Sequence, residues 1–140
     1  MANWQWFTKL HRAAYRASGG RIGARLAGLD MLLLTSVGRT SGLERTIPLA
    51  CFRNGDDWII VASNNGKDHH PGWYLNLQKN PDARVRIGRE ERRVRAIVAE
   101  GEERARLWPW LRRENPMYAK YEQKTKREIP VVILRFADAR

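Results

Sequence analysis

The chain changes rhythm near residue 30. Upstream, Trp4, Phe7, Leu10 and Ala14 recur at helical spacing and share one side, with Lys9, Arg12 and Arg16 around them, so the pattern predicts an amphipathic helix. Ser18, Gly19 and Gly20 end it. Arg21 to Leu29 reads as a basic connector or a second short helix. From Asp30 onward the rhythm is that of short strands. Met31 to Val37 is a nearly continuous apolar run suited to a buried strand, and Arg45 to Arg53 is the next strand, in which Pro48 marks an edge or a bulge. Asn54 and Gly55 then give the strongest hairpin signal in the chain, and Trp58 to Ala62 returns as the third strand.

Ser63 to His70 is a polar loop, and Pro71 is placed for the first turn of a helix that runs to about Lys79. Ala83 to Ile87 and Arg93 to Ala99 alternate strongly, with Val85 and Ile87 on one face and Arg84 and Arg86 on the other, and make a hairpin around Gly88 to Glu91. Glu102 to Arg113 is helical in pattern, with Pro109 expected to kink or break it. Pro116 opens a short helix carrying Tyr118 and Tyr121, and Ile129 to Phe136 is the last strand. Six short strands joined by hairpins predict an α+β chain built on a six-stranded antiparallel barrel. We divide the chain into an N-terminal helix and connector, 1–29, and a barrel domain, 30–140.

Composition sharpens this picture. At 140 residues with 43% hydrophobic positions and six tryptophans, the chain is long and apolar enough for one ordinary globular core. Its net charge of +11 predicts attraction to polyanions, which include nucleic acid, anionic lipid and phosphorylated cofactors. Arg84, Arg86, Arg89, Arg92, Arg93 and Arg95 crowd one hairpin, yet without interleaved aromatics for base stacking, so a solvated face balanced by Glu90 and Glu91 is preferred to a nucleic-acid surface. The N-terminal helix fits docking on its own domain or on a second subunit better than it fits an anionic membrane surface, although its charge allows the latter. With neither a signal peptide nor a membrane-spanning stretch, the expected location is the cytoplasm, with peripheral contact to the inner face of the membrane as the variant. The lone Cys51, between Ala50 and Phe52, reads as a small core residue and not a nucleophile.

The sequence lacks G-x-S-x-G, H-E-x-x-H, paired cysteines and a phosphate-binding Walker loop. Asp68, His69 and His70 are better suited to capping or solvent contact than to a metal, and no metal is expected. The loop VGRTSGLERTIPL carries more chemistry. Gly38 and Gly42 permit a tight turn that aims backbone N–H groups inward, Thr40 and Ser41 add hydroxyls, and Arg39 and Arg45 supply forked positive charge for a phosphate or polycarboxylate. A solvated turn explains the same composition.

The ordered blocks LLLTSVGRTSGLERTIPL, VASNNG, HPGWYLNLQKNPDARVRI, GEERARLWPWL and NPMYAKYEQKTKREIPVVIL resemble the deazaflavin-dependent nitroreductase family. That resemblance implies a split β-barrel of the FMN-binding type and binding of the deazaflavin coenzyme F-420, which carries a phosphate and an oligoglutamate tail. It implies that Arg39, Thr40 and Ser41, with Arg45, Thr46, Ile47 and Pro48, hold the phosphate and tail, and that Ser63, Asn64, Trp73, Tyr74 and Asn76 line the ring and ribityl region. It also implies that Tyr118 covers the pocket and that the reduced coenzyme passes a hydride to a quinone, an activated alkene or a nitroaromatic. On this reading Tyr118, Tyr121 and Ser63 are the candidate catalytic hydroxyls. The alternatives are an FMN-binding reductase and a non-catalytic cofactor or lipid carrier. Two departures stand out: Thr40 occupies a position where the family commonly has lysine, and Ala50 and Asn115 stand where members active on bulky nitroimidazoles carry tyrosine.

Overall fold

The computed structural model describes the backbone of Arg25 and Leu26 and all of residues 29–137; the expected N-terminal helix lies outside the described residues. Strands β1 (Arg25–Leu26), β2 (Leu29–Val37), β3 (Glu44–Ala50), β4 (Phe52–Asn54) and β5 (Asp57–Val61) come first. A single tight turn, Asn64–Gly66, leads to helix α1 (Gly72–Lys79) and the hairpin β6 (Asp82–Ile87) and β7 (Glu90–Val98). Helices α2 (Gly101–Glu114) and α3 (Met117–Lys124) precede the final strand β8 (Val131–Phe136). All pairings are antiparallel.

The sheet runs β1-β2-β6-β7-β8-β5-β4, and β3 lies along the other edge of β2. Because β3 and β4 are consecutive in the chain, the two ends of the sheet are joined through Cys51 and the sheet curls on itself in the manner of a split barrel. Eight strands therefore replace the expected six among the described residues. One extra strand arises because Arg45 to Arg53 changes partner: β3 pairs with β2 as far as Ala50↔Met31, Cys51 N donates to Asp30 O at 2.9 Å, and β4 then pairs with β5. The other is β1, which folds back on the start of β2 through Arg25↔Asp30 and Leu26↔Leu29, so this part of the predicted connector or helix is strand. Pro48 has β2 on one side and no described strand on its other, as suits its missing N–H.

Strand alternation sorts the core into two layers. Leu32, Leu34, Trp58, Ile60, Val85, Val94, Val132 and Leu134 point into the barrel, where Trp73, Tyr74 and Leu77 of α1 close it. Their neighbours Ile59, Val61, Val131 and Ile133 point outward and are covered by Leu107, Trp108 and Leu111 of α2 and Tyr118 of α3. Each fully buried aliphatic side chain stabilises the fold by about 1.5–3 kcal/mol, so both layers are needed to hold the strands in register. Cys51 is buried in the first layer, and burial, reinforced by Asp30, pushes its thiol up to about 12.

Helix α2 runs through Pro109 as one helix, so the expected break does not occur; its acidic first turn (Glu102, Glu103) and basic last turn (Arg112, Arg113) complement the helix dipole. On the arginine-rich hairpin, Arg84 pairs with Glu44 at 2.7 Å, Arg92 with Glu90 at 2.8 Å and Arg95 with Asp82 at 3.1 Å. Much of that positive face is thus neutralised locally. No described helix is long and apolar enough to cross a membrane.

Candidate functional site

The turn between β2 and β3 is held by its own backbone: Gly38 N donates to Leu43 O at 2.8 Å and Gly42 N to Gly38 O at 2.9 Å. Gly42 has φ +73°, the left-handed region that favours glycine. Gly38 is required for a different reason. A Cβ there would stand 2.7 Å from Ser41 Oγ, 3.1 Å from Leu43 O and 3.7 Å from Arg45 Nε, so the turn wraps closely around a position with no side chain. Ser41 Oγ accepts from Leu43 N at 3.1 Å, while the Thr40 hydroxyl and the backbone N–H groups of Thr40 and Ser41 have no partner among the described residues. The turn therefore keeps donors that its own hydrogen bonds do not use.

Helix α1 fixes this turn from below. Asn76 is buried, and its Oδ1 accepts both Arg39 N at 3.1 Å and Arg39 Nη1 at 2.9 Å; Arg39 Nη1 also reaches Gly72 O at 3.3 Å. Lys79, from the last turn of the helix, donates to Arg39 O at 2.9 Å. The result is a pocket of about 460 Å³ lined by residues 37–42, Lys79 and Asn80, with no carboxylate among the described residues on its walls. Arg45 stands beside the turn with its guanidinium toward Gly38 and makes no hydrogen bond or ion pair with any described residue. Cationic side chains and spare N–H groups without a carboxylate make a site for an anion.

Arg45, Thr46, Ile47 and Pro48 do not face one way. Ile47 packs against the barrel core, whereas Thr46 turns to the other face, where its Oγ1 lies 2.7 Å from Thr35 Oγ1. Strand alternation therefore separates these four positions between two surfaces.

A second cluster forms where the 62–70 loop meets the segment after α3. Arg127 Nε donates to Lys67 O at 2.9 Å, Nη2 to Ser63 O at 2.9 Å and Nη1 to Ala62 O at 3.3 Å, and Nη1 lies 3.1 Å from His70 Nδ1. A guanidinium only donates, so Nδ1 accepts and the imidazole proton sits on Nε2. Burial first, and Arg127 second, lower the His70 pKa from its ordinary value. Asn64 Nδ2 donates to His69 O at 3.0 Å, and both Asn64 and Asn65 adopt left-handed φ values of 47° and 56°. Helix α3 packs on this turn so closely that a Cβ on Gly66 would stand 3.1 Å from Tyr121 Cα.

Of the predicted aromatic site residues, Trp73 and Tyr74 are sunk in the barrel layer, and the Tyr74 hydroxyl is bonded to Gln78 Nε2 at 3.0 Å. The His70 ring lies 4.8 Å from that of Tyr74, which links the second cluster to α1. Tyr118 is packed among Phe52, Trp108 and Tyr121 at ring separations of 6.0–6.5 Å, and burial pushes its phenol up to about 12. The structure thus brings Arg39, Thr40 and Ser41 together at one pocket, with Arg45 next to Gly38 of the same turn, and Ser63, Asn64 and Tyr121 near one another at the second cluster. Sequence reasoning missed Arg127, whose bonds span 57–65 residues, and Lys79, which stands 40 residues from the turn that it touches.

Residues 6–135 match the family described as F420H(2)-dependent quinone reductase. An F420H(2)-dependent quinone reductase of Mycobacterium tuberculosis is 40% identical over 130 residues, which cover 90% of this chain and 87% of that protein. The solved structure of an F420-H2 dependent reductase is 37% identical with a TM-score of 0.69, covering 75% of this chain and 93% of the other. A second solved structure, described as a domain-swapped dimer, is 33% identical with a TM-score of 0.69 and covers 89% of this chain and 98% of its own.

Proposed function

This chain belongs to the F420H(2)-dependent quinone reductase family, and from that membership we propose that it binds the deazaflavin coenzyme F-420 and uses the reduced form to reduce a quinone-type acceptor. The observation that carries the site assignment is the pocket of about 460 Å³ at residues 37–42, which has no carboxylate among its described residues and where the N–H groups of Thr40 and Ser41, without a partner among the described residues, lie beside Arg39 and Arg45. These donors fit a phosphate and an acidic tail. The bound coenzyme supplies the hydride, and the protein supplies binding, orientation and exclusion of water.

The ring end of the coenzyme is assigned to the second cluster, where Ser63 and Asn64 are held at a fixed loop and Tyr121 lies alongside. Charge develops on the acceptor oxygen during reduction, and a hydroxyl of Ser63 or Tyr121 can meet it with a hydrogen bond. Tyr118, with its phenol raised to about 12, stays protonated at neutral pH and acts as a donor or as the packing support of Tyr121. We extend to this chain the dimeric assembly of its domain-swapped neighbour, and light scattering of the purified protein tests it.

A fluorescence titration of the oxidised coenzyme with the purified protein tests the cofactor, with FMN as competitor. Saturable quenching that FMN does not relieve supports the proposal; displacement by FMN points to the flavin reading. Oxidation of the reduced coenzyme on adding a quinone tests the reaction, and its absence in a protein that binds tightly identifies a carrier. Unchanged turnover in Tyr118→Phe, Tyr121→Phe and Ser63→Ala sinks the hydroxyl roles.

A further inference from the structure

The turn between β2 and β3 has Thr40 at its tip and no lysine of its own, and the pocket has another cation at hand. Lys79 lines the same cavity from the end of α1, with its ammonium held 2.9 Å from Arg39 O. An ammonium has three donors, and only one of them is used there. The placement is also favourable before any ligand arrives, because a cation in the last turn of a helix offsets the partial negative charge of its free carbonyls. Arg39 differs, since one of its terminal nitrogens is already committed to Asn76 and Gly72.

We propose that Lys79 is the phosphate-binding cation of this pocket, acting from α1 in place of a lysine in the turn, and that it determines the preference for the phosphorylated coenzyme over its phosphate-free ring and ribityl fragment. This rests on the reading that the pocket takes the phosphate of the deazaflavin. Asn80 lines the pocket beside it, and the Arg45 side chain stands next to Gly38 of the same turn. A lysine that only strutted the loop would serve any ligand equally; a lysine that meets phosphate serves only the ligand that carries one.

The test is a fluorescence titration of the oxidised coenzyme and, separately, of its phosphate-free ribityl fragment against the full chain, Lys79→Gln, Thr40→Lys and the double variant. The expected result is that Lys79→Gln weakens the coenzyme about tenfold and the fragment less than about twofold, with the difference shrinking as salt rises from about 50 mM to about 500 mM. Thr40→Lys in the Lys79→Gln background restores most of the lost affinity, because it returns the charge without returning the bond to Arg39 O. Equal weakening of both ligands, no weakening of the coenzyme, or a double variant as weak as Lys79→Gln overturns the inference. Failure of the unmodified chain to bind coenzyme overturns the cofactor reading itself, and this inference with it.

Discussion

Arg127 and Arg45 carry the same guanidinium and are put to opposite uses. Arg127 spends its nitrogens on the protein, on three carbonyls and one imidazole, and so bolts the 62–70 loop to the chain leading into β8. Arg45 spends none on any described residue and stands beside a turn in which the N–H groups of Thr40 and Ser41 are also unspent. The two regions teach that charge alone does not mark a binding group. What marks it is donor capacity left over once the fold has taken its share.

Removing the bolt has the largest expected effect. Arg127→Ala leaves Ala62, Ser63 and Lys67 carbonyls without this donor, and with a bond to a charged group worth about 1.5–3 kcal/mol net and water able to reach this half-buried site, the loss is about 2–3 kcal/mol. Urea unfolding reads this as a midpoint lowered by about 1 M. Lysine at the same position cannot reproduce the fork and recovers less than about half. A midpoint within experimental scatter of the unmodified chain would show that water replaces the guanidinium without cost and would erase the contrast.

Gly38→Ala comes next, at about 1–2 kcal/mol, since the new methyl must displace Ser41 Oγ from 2.7 Å and press on Leu43 O at 3.1 Å. Combining it with Ser41→Ala relieves the first contact and not the second, so thermal melting should recover in part. Coenzyme affinity should fall in both variants, because the turn geometry aims the N–H groups of residues 40 and 41. Arg45→Ala inverts the pattern: stability within about 0.5 kcal/mol and coenzyme affinity about tenfold weaker, or about 1.4 kcal/mol. An Arg45→Ala protein that melts lower and binds normally would exchange the roles assigned to the two arginines.

Much of the fold is written in local alternation. Val85 and Ile87 against Arg84 and Arg86, the Asn54-Gly55 hairpin and the apolar run before Val37 all lie in the places where the structure has strands. The break at Cys51 is not local. Ala50, Cys51 and Phe52 read as one uninterrupted strand, and only the exchange of β2 for β5 as partner, a matter of tertiary pairing, divides it. At the site, the turn announces itself through Gly38, Arg39, Thr40, Ser41 and Gly42. Asn76 is legible only as a family position, and its physical task, accepting from Arg39, emerges when α1 is docked under the turn. Arg127 has no motif to give it away because carbonyls carry no side-chain signature.

The smallest expected effect tests whether the Arg127 clamp is complete. His70 accepts from Arg127 through Nδ1 only while neutral, and burial together with the neighbouring guanidinium holds its pKa below the ordinary 6.5. In the unfolded chain that constraint is gone, so between the two values the unfolded state binds more protons and stability rises with pH. The contribution is therefore full above about 6.5 and is lost as pH falls through the folded-state value. Asp68 offsets part of the positive field at Arg127, and the imidazole is partly exposed, both of which keep the effect modest. His70→Gln removes the titrating group, so urea midpoints taken at descending pH should fall less steeply in the variant than in the unmodified chain. Parallel slopes would mean that the imidazole swings free of Arg127 in solution, leaving the guanidinium with a spare donor and making it more like Arg45 than the structure shows.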